Sequence, residues 1–162
     1  MVSPVRNCRR PIVCLLAACG LAGACGWPQV AGASDTLHVV IVADTNDVRI
    51  GKSVAVDVQT VESFFREESN VPSPVPITTV TGDEFTQERV FRAIRTLPRG
   101  AAHSCLLYYC GHGEYDLEKG HRLMIPGADS PGVARQEVLA ALLAGQPHLV
   151  ALISDSCSVI VD

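Results

Sequence analysis

Basic charge is scarce in this 162-residue chain, in which 13 lysine and arginine residues face 17 aspartate and glutamate residues for a formal net charge of −4. No cluster of basic side chains occurs outside the first ten residues. Proteins that bind nucleic acid need basic patches to neutralise phosphates, so this balance argues against a nucleic-acid partner. Internal repeats and low-complexity segments are absent as well. With 48 % hydrophobic and 19 % charged residues, the length predicts one globular domain with its own core.

The chain also lacks an apolar run long enough to span a bilayer. Its N-terminal apolar stretch, residues 11–25, is short, rich in small residues and preceded by arginines. This pattern predicts a signal peptide over residues 1–33, and therefore export to the periplasm, the extracellular space or a membrane surface. Two processing sites compete. Residues 31–33 have the small-x-small pattern of ordinary cleavage, whereas residues 16–19 resemble a lipobox in which Cys19 would be lipidated.

Strands and helices alternate from residue 37 on. The patterns predict strands over 37–43, 77–80, 104–109 and 149–154, a short extended piece over 122–126, and helices over 53–68, 86–97 and 133–143. Ser53 and Thr86 are expected to cap the first two helices, and the third is expected to bury Val138, Leu139, Leu142 and Leu143. Such alternation predicts an α/β fold, with a mostly parallel sheet flanked by helices on both faces. In this class, ligands bind beyond the carboxyl ends of the strands.

Two of these predicted buried strands end in reactive side chains. His112 follows the strand over 104–109, and Cys157 follows the strand over 149–154. An imidazole can take the proton of a thiol, so this pair is the minimum for thiol nucleophilic catalysis. The 45 residues from position 112 to position 157 leave room for a crossover to a neighbouring parallel strand. The alternative is a turn histidine and a buried strand-end thiol with no chemical role.

The cysteines are divided unevenly along the chain. Four of the seven lie within residues 1–33, which leaves Cys105, Cys110 and Cys157. In an oxidising compartment, an odd number leaves at least one thiol without a partner in the chain, and we expect Cys157 to be that free thiol. Cys105 lies inside an apolar strand and is expected to be a small core residue.

Three segments in this order resemble the motifs of the caspase superfamily of cysteine endopeptidases, and of its metacaspase branch in particular. Residues 109–113 (YCGHG) match the histidine motif, residues 123–129 (LMIPGAD) resemble the stretch that follows it, and residues 153–157 (ISDSC) resemble the nucleophile motif. The resemblance covers residues 37–158. It implies a caspase-like αβα sandwich over residues 34–162 and a cysteine endopeptidase activity on protein or peptide substrates.

The resemblance also implies roles for single residues. Cys157 would be the nucleophile and His112 the general base and then the general acid, while the backbone N–H groups of Gly113 and Cys157 would form the oxyanion hole. Animal caspases carry glutamine at the position of Asp155, whereas metacaspases carry an acid there that helps to bind arginine or lysine at the cleavage site. These roles predict an enzyme that cleaves after basic residues and not after aspartate.

A second pocket acid of metacaspases lies in a segment that residues 55–58 resemble, which implies that Asp57 binds substrate together with Asp155. The alternative for Asp57 is a solvated residue in the first turn of a helix, favoured by the helix dipole. Asp47 is the weaker competitor for the second acid, because the pattern predicts no helix directly after it.

Two departures from the family pattern shape the expectations for the whole chain. Metacaspases usually follow the nucleophile with histidine, serine and glycine, whereas this chain continues with Ser158, Val159 and Ile160. The caspase fold also continues beyond the nucleophile with further strands and a helix, so the chain resembles the large-subunit portion only. A small-subunit-like chain or a missing C-terminal region would then supply the rest. Competing functions are a non-catalytic caspase-like interaction domain and another thiol hydrolase of a related, gingipain-like kind.

No cofactor is required by the predicted chemistry. Calcium activation is implied only by the metacaspase resemblance, and Asp116, Glu118 and Asp129 are the residues that would offer oxygen ligands. They do not form a calcium-loop pattern, and no resident metal is expected. The remaining histidines show no metal-ligand spacing; they are His38, His103, His121 and His148.

Overall fold

The computed structural model describes residues 36–71, 74–118, 120–157 and 159–161. The predicted signal peptide, both of its cleavage sites and Cys19 lie outside these residues. Within the described ranges, no helix combines the length and apolar character needed to cross a membrane.

Eleven regular elements follow one another along the described chain. They are β1 (Thr36–Ala43), α1 (Gly51–Ser63), β2 (Ile77–Thr81), α2 (Gln87–Thr96), β3 (His103–Cys110), β4 (Gly113–Asp116), β5 (Gly120–Leu123), β6 (Val133–Ala134), α3 (Arg135–Leu143), β7 (Leu149–Asp155) and β8 (Val159–Val161). A π-helical turn, Phe64–Glu68, extends α1, and a 3-10 turn, Gly82–Glu84, follows β2.

The main sheet has four parallel strands in the order β2-β1-β3-β7. β1 lies inside it, and its residues 39–43 are at most 1 % exposed, which explains its unbroken β-branched run. On one face, α1 packs Val54 and Val58 against alternate residues of β1. On the other face, α2 and α3 bury Val90 and Val138. The predicted α/β class, with a mostly parallel sheet and helices on both faces, is confirmed.

The two predicted helix caps had different outcomes. Thr86 caps α2, because its hydroxyl oxygen accepts the N–H of Arg89 at 3.3 Å. Ser53 does not cap α1, which already begins at Gly51. The hydroxyl of Ser53 donates instead to the carbonyl oxygen of Ile50 at 2.8 Å. The first helix therefore begins closer to the carboxyl end of β1 than the sequence pattern predicts.

Burial along β7 and α3 also differs from the prediction. β7 was predicted to be a buried strand, but in the described chain it pairs with β3 alone, and its Leu149 and Ile153 are 59 % and 49 % exposed. In α3, Val138 and Leu142 are buried as predicted, whereas Leu139 and Leu143 are exposed. Both errors have one cause, because periodicity shows which residues could be buried but not whether a neighbour covers them.

A second, smaller sheet has the order β6-β5-β4-β8. β4 and β5 form an antiparallel hairpin, and β5 shares residues 122 and 123 with the extended piece predicted over 122–126. β8 pairs in parallel with β4 and was not predicted. This sheet follows directly from the carboxyl ends of β3 and β7, where His112 and Cys157 lie.

Candidate active site

One strand register relates His112 to Cys157. β3 and β7 pair from Ser104 with Leu149 up to Cys110 with Asp155. β4 and β8 pair from Glu114 with Val159 onward. Partners differ by 45 in residue number in both pairings, so His112 and Cys157 occupy corresponding positions where the chain passes from the main sheet to the small one.

Backbone contacts across this passage keep the two segments together. The N–H of Gly111 donates to the carbonyl oxygen of Asp155 at 3.2 Å. At Gly113 the approach is so close that an added Cβ would lie 2.5 Å from the carbonyl oxygen of Cys157. Only glycine permits this packing, so the glycine after His112 has a steric reason to be there.

Two hydrogen bonds to its carbonyl oxygen fix the backbone of His112. The buried hydroxyl of Tyr109 donates to the carbonyl oxygen of His112 at 2.6 Å, and the N–H of Met124 donates to the same oxygen at 3.0 Å. Tyr109 is fully buried, and its burial raises its pKa, so the hydroxyl keeps the proton that it donates. These bonds determine where the histidine stands.

The imidazole of His112 is partly exposed and has two polar neighbours. Its Nε2 lies 3.2 Å from Oδ2 of Asp47 and 3.3 Å from Nη2 of Arg49. The other carboxylate oxygen of Asp47 accepts the N–H groups of Ile50 and Arg49 at 2.9 and 2.7 Å. These two backbone bonds lower the pKa of Asp47, and the contact with His112 lowers it further.

Asp47 was the weaker competitor for the second pocket acid, and the structure brings Asp57 and not Asp47 to Asp155. The expectation that no helix follows Asp47 directly is wrong, because α1 begins four residues later and the Asp47 carboxylate accepts backbone N–H groups at its start. Asp47 lies beside His112. The signal that could have shown this is an aspartate three to four residues before a helix, at the end of a central strand.

Asp57 and Asp155 come together, as the resemblance implied. Their carboxylate oxygens and Sγ of Cys110 all lie within 4.8 Å of one another. Sγ of Cys110 is 3.6 Å from Oδ2 of Asp57, and the hydroxyl of Tyr108 lies 3.4 Å from Oδ2 of Asp155. Asp57 lies in the second turn of α1, so the alternative of a solvated first-turn residue is wrong.

Sequence reasoning missed Tyr108 and Cys110 in this acidic cluster, which comprises Asp57, Tyr108, Cys110 and Asp155. Burial and the two nearby carboxylates raise the pKa of the Cys110 thiol to about 11. Burial, with the same acidic neighbours, also raises the pKa of Tyr108. Thiol and phenol therefore stay neutral and add no charge to the two carboxyl groups. The missed signal was strand alternation, because positions 108 and 110 share one face of β3.

Cys157 is exposed and its thiol is free. Cys105 and Cys110 form no disulfide and are buried, which confirms Cys105 as a core residue. Beside Cys157, the hydroxyl oxygen of Ser156 is buried without a hydrogen-bond partner in the described part of the chain. A solvent-accessible sulfur is open to an incoming substrate.

The structure does not gather the residues considered for calcium. Within the described ranges, one set of three potential metal-ligand side chains comes within 4.8 Å, and it is Asp57, Cys110 and Asp155. Asp116 binds the N–H of Glu118 at 2.8 Å, and Asp129 is exposed elsewhere.

Comparison with known proteins adds no relative. No family model matches the chain, and no curated protein matches it.

Proposed function

We propose that this chain is an exported cysteine endopeptidase of the caspase superfamily, related to metacaspases, with a dyad of His112 and Cys157. The observation that carries the proposal is the shared register, because it brings a strand-end histidine and an exposed strand-end thiol to corresponding positions.

The chemistry follows from the groups present. His112 takes the proton of the Cys157 thiol, and the sulfur attacks the peptide carbonyl carbon to give a tetrahedral intermediate. When this intermediate collapses, the C–N bond breaks and His112 returns the proton to the leaving amine. Water, activated by the same imidazole, then hydrolyses the thioester and restores the thiol. The products are a new carboxylate and a new amine.

The oxyanion of each intermediate would be stabilised by the N–H groups of Gly113 and Cys157. The backbone contact between Gly113 and Cys157 supports this role, because it brings the two chain segments together at one point. One donor of this kind typically contributes about 10²–10³ in rate.

The acidic cluster supports cleavage after arginine or lysine. Asp57 and Asp155 supply two carboxylates, and neither the Cys110 thiol nor the Tyr108 phenol adds charge at neutral pH. A guanidinium or ammonium group would be held by charge-assisted hydrogen bonds. An aspartyl side chain would be repelled by the same carboxylates.

A second candidate, a non-catalytic interaction domain, is favoured by β7. Its outer edge has no neighbour among the described strands, and its exposed Leu149 and Ile153 would suit pairing with a peptide strand. This candidate needs neither His112 nor Cys157.

The decisive experiment uses the full chain with fluorogenic peptides that carry Arg, Lys or Asp at the cleavage site. We expect turnover of the Arg and Lys peptides, and its loss in Cys157→Ala and in His112→Ala. His148→Ala, which removes an exposed histidine elsewhere, is the matched control and should retain activity. Faster turnover of the Asp peptide would refute the pocket assignment. Equal activity in Cys157→Ala would refute the peptidase mechanism.

Asparagine replacements test the pocket separately. Each of Asp57→Asn and Asp155→Asn should lower kcat/KM for the Arg peptide about 10- to 100-fold, since a hydrogen bond to a charged group contributes about 1.5–3 kcal/mol. Asp129→Asn removes an exposed carboxylate outside the cluster and is the control. Equal losses in all three variants would point to net charge and not to the pocket.

A further inference from the structure

We propose that Asp47 is a positioning residue for His112, which makes the catalytic unit a triad of Asp47, His112 and Cys157. The inference rests on the proposed peptidase function and extends it. Its basis is the contact of 3.2 Å between Oδ2 of Asp47 and Nε2 of His112.

The carboxylate of Asp47 is itself fixed before it meets the imidazole. One oxygen accepts two backbone N–H groups at the start of α1, and these bonds favour the ionised form. The other oxygen faces His112. A carboxylate that is anchored at one oxygen can orient a ring at the other, because it has lost the freedom to rotate away.

The contact selects a tautomer. A neutral imidazole carries one N–H and one lone pair, and an ionised carboxylate only accepts hydrogen bonds. The bond to Asp47 therefore places the proton of His112 on Nε2 and leaves the lone pair on Nδ1. A general base needs a free lone pair to take the proton of the thiol.

Strand order places the three groups in sequence. Asp47 follows β1, His112 follows β3 and Cys157 follows β7, and the main sheet runs β1-β3-β7 across this edge. The imidazole thus stands between the carboxylate on one side and the thiol segment on the other. Because the two ring nitrogens lie on different sides of the ring, Nε2 directed at Asp47 leaves Nδ1 directed away from it.

Arg49 competes with Asp47 for the same nitrogen. Its Nη2 lies 3.3 Å from Nε2 of His112, and a guanidinium can only donate, so this bond requires the opposite tautomer. Arg49 is exposed, whereas the carboxylate is anchored by the backbone. We therefore assign the hydrogen bond at Nε2 of His112 to Asp47. In a variant without the Asp47 carboxylate, Arg49 would donate to Nε2 instead.

Asp47→Asn is the most informative variant. The amide oxygen can still accept the N–H groups of Arg49 and Ile50, so the start of α1 is kept. Its NH₂ group would donate to Nε2 and force the proton onto Nδ1, so neither ring nitrogen would keep a free lone pair to accept the thiol proton. We expect kcat to fall by about 10² or more, since the corresponding replacement in a serine protease lowers kcat about 10⁴-fold. KM and the melting temperature should change little.

Asp83→Asn is the matched control, because Asp83 is an exposed aspartate that accepts a hydrogen bond from Asn46 near the same loop. It should retain kcat. If Asp47→Asn lowered the melting temperature markedly as well as kcat, Asp47 would have a structural role and the inference would be overturned.

The tautomer of His112 can be determined without an activity assay. Nitrogen NMR of histidine-labelled Cys157→Ala protein, assigned with His112→Ala, shows which nitrogen of His112 carries the proton. We expect Nε2–H in this background and Nδ1–H after Asp47→Asn is added. Nδ1–H with Asp47 intact would overturn the positioning role, even in an active peptidase. Nε2–H in a chain without peptidase activity would leave the positioning intact and refute only the proposed function.

Discussion

The two segments that carry the proposed dyad differ in how firmly the fold holds them. The segment of His112 is held by two hydrogen bonds to its carbonyl oxygen and by two polar neighbours on its ring. The segment of Cys157 follows an edge strand, the cysteine is exposed, and Ser156 beside it has a buried hydroxyl without a partner in the described residues. The difference fits the proposed roles, a base held in position and a nucleophile accessible to substrate.

The largest effect is expected from a replacement that disrupts the contact between these two segments. In Gly113→Ala, the new Cβ would lie 2.5 Å from the carbonyl oxygen of Cys157 and 2.8 Å from Oγ of Ser156, so the cysteine segment must move. We expect a free energy of unfolding lower by about 1–3 kcal/mol. The rate should fall by about 10² or more, since the oxyanion donors separate. Peptidase assays and urea unfolding measure both.

Gly145→Ala is the control for this replacement, because the nearest atom to a Cβ there lies at 3.5 Å, an ordinary contact. If both variants lost activity equally, the close approach at Gly113 would have no catalytic meaning.

A smaller effect is expected from a replacement that weakens the hydrogen bonding of the His112 segment alone. Tyr109→Phe removes the 2.6 Å hydrogen bond to the carbonyl oxygen of His112, which keeps the bond from Met124. We expect a loss of about 1 kcal/mol in stability and a several-fold fall in kcat. Thermal unfolding and kinetics on the Arg peptide test this. Tyr115→Phe, at a largely exposed tyrosine, should leave both unchanged.

The reactivity of the thiols should follow the same contrast. Cys157 is exposed, whereas burial and two carboxylates raise the pKa of Cys110 from 9.0 to about 11. At pH 7–8, iodoacetamide should therefore modify Cys157 first, as peptide mass spectrometry would show. Equal modification of Cys110 and Cys157 in the native protein would contradict the contrast.

The raised pKa of Cys110 also has a consequence for folding. An unfolded chain ionises this thiol near its ordinary value of 9.0, whereas the folded chain keeps it protonated to about 11. The contribution to stability is therefore fully present below pH 9 and is lost as the pH rises from 9 towards 11. Cys110→Ser should make unfolding curves less sensitive to pH in that range.

The smallest effect concerns Ser156. Its buried hydroxyl has no partner in the described part of the chain, so Ser156→Ala removes an unsatisfied group and no hydrogen bond. We expect stability to be unchanged or to rise by up to about 1 kcal/mol. Denaturant unfolding measures it. A clear destabilisation would show that the hydroxyl has a partner outside the described residues.

Local sequence patterns predicted most of the main sheet. β1 and β3 were recognised because an unbroken β-branched or aromatic run is typical of a strand buried on both faces. The helix starts were harder, since Ser53 is a good capping residue by type, yet the helix begins two residues earlier. The second sheet was missed, because its strands are short and β8 pairs with a strand 45 residues earlier in the chain.

The sequence by itself determined which side chains could do chemistry at the ends of β3 and β7, because residue type and strand pattern are local properties. Only the tertiary structure decided that Asp47 lies beside His112 and that Asp57, Cys110 and Asp155 gather in one cluster. These contacts join residues from different parallel strands and from α1. Their distances depend on strand order and register, which arise from packing of the whole sheet and are not encoded in any single segment.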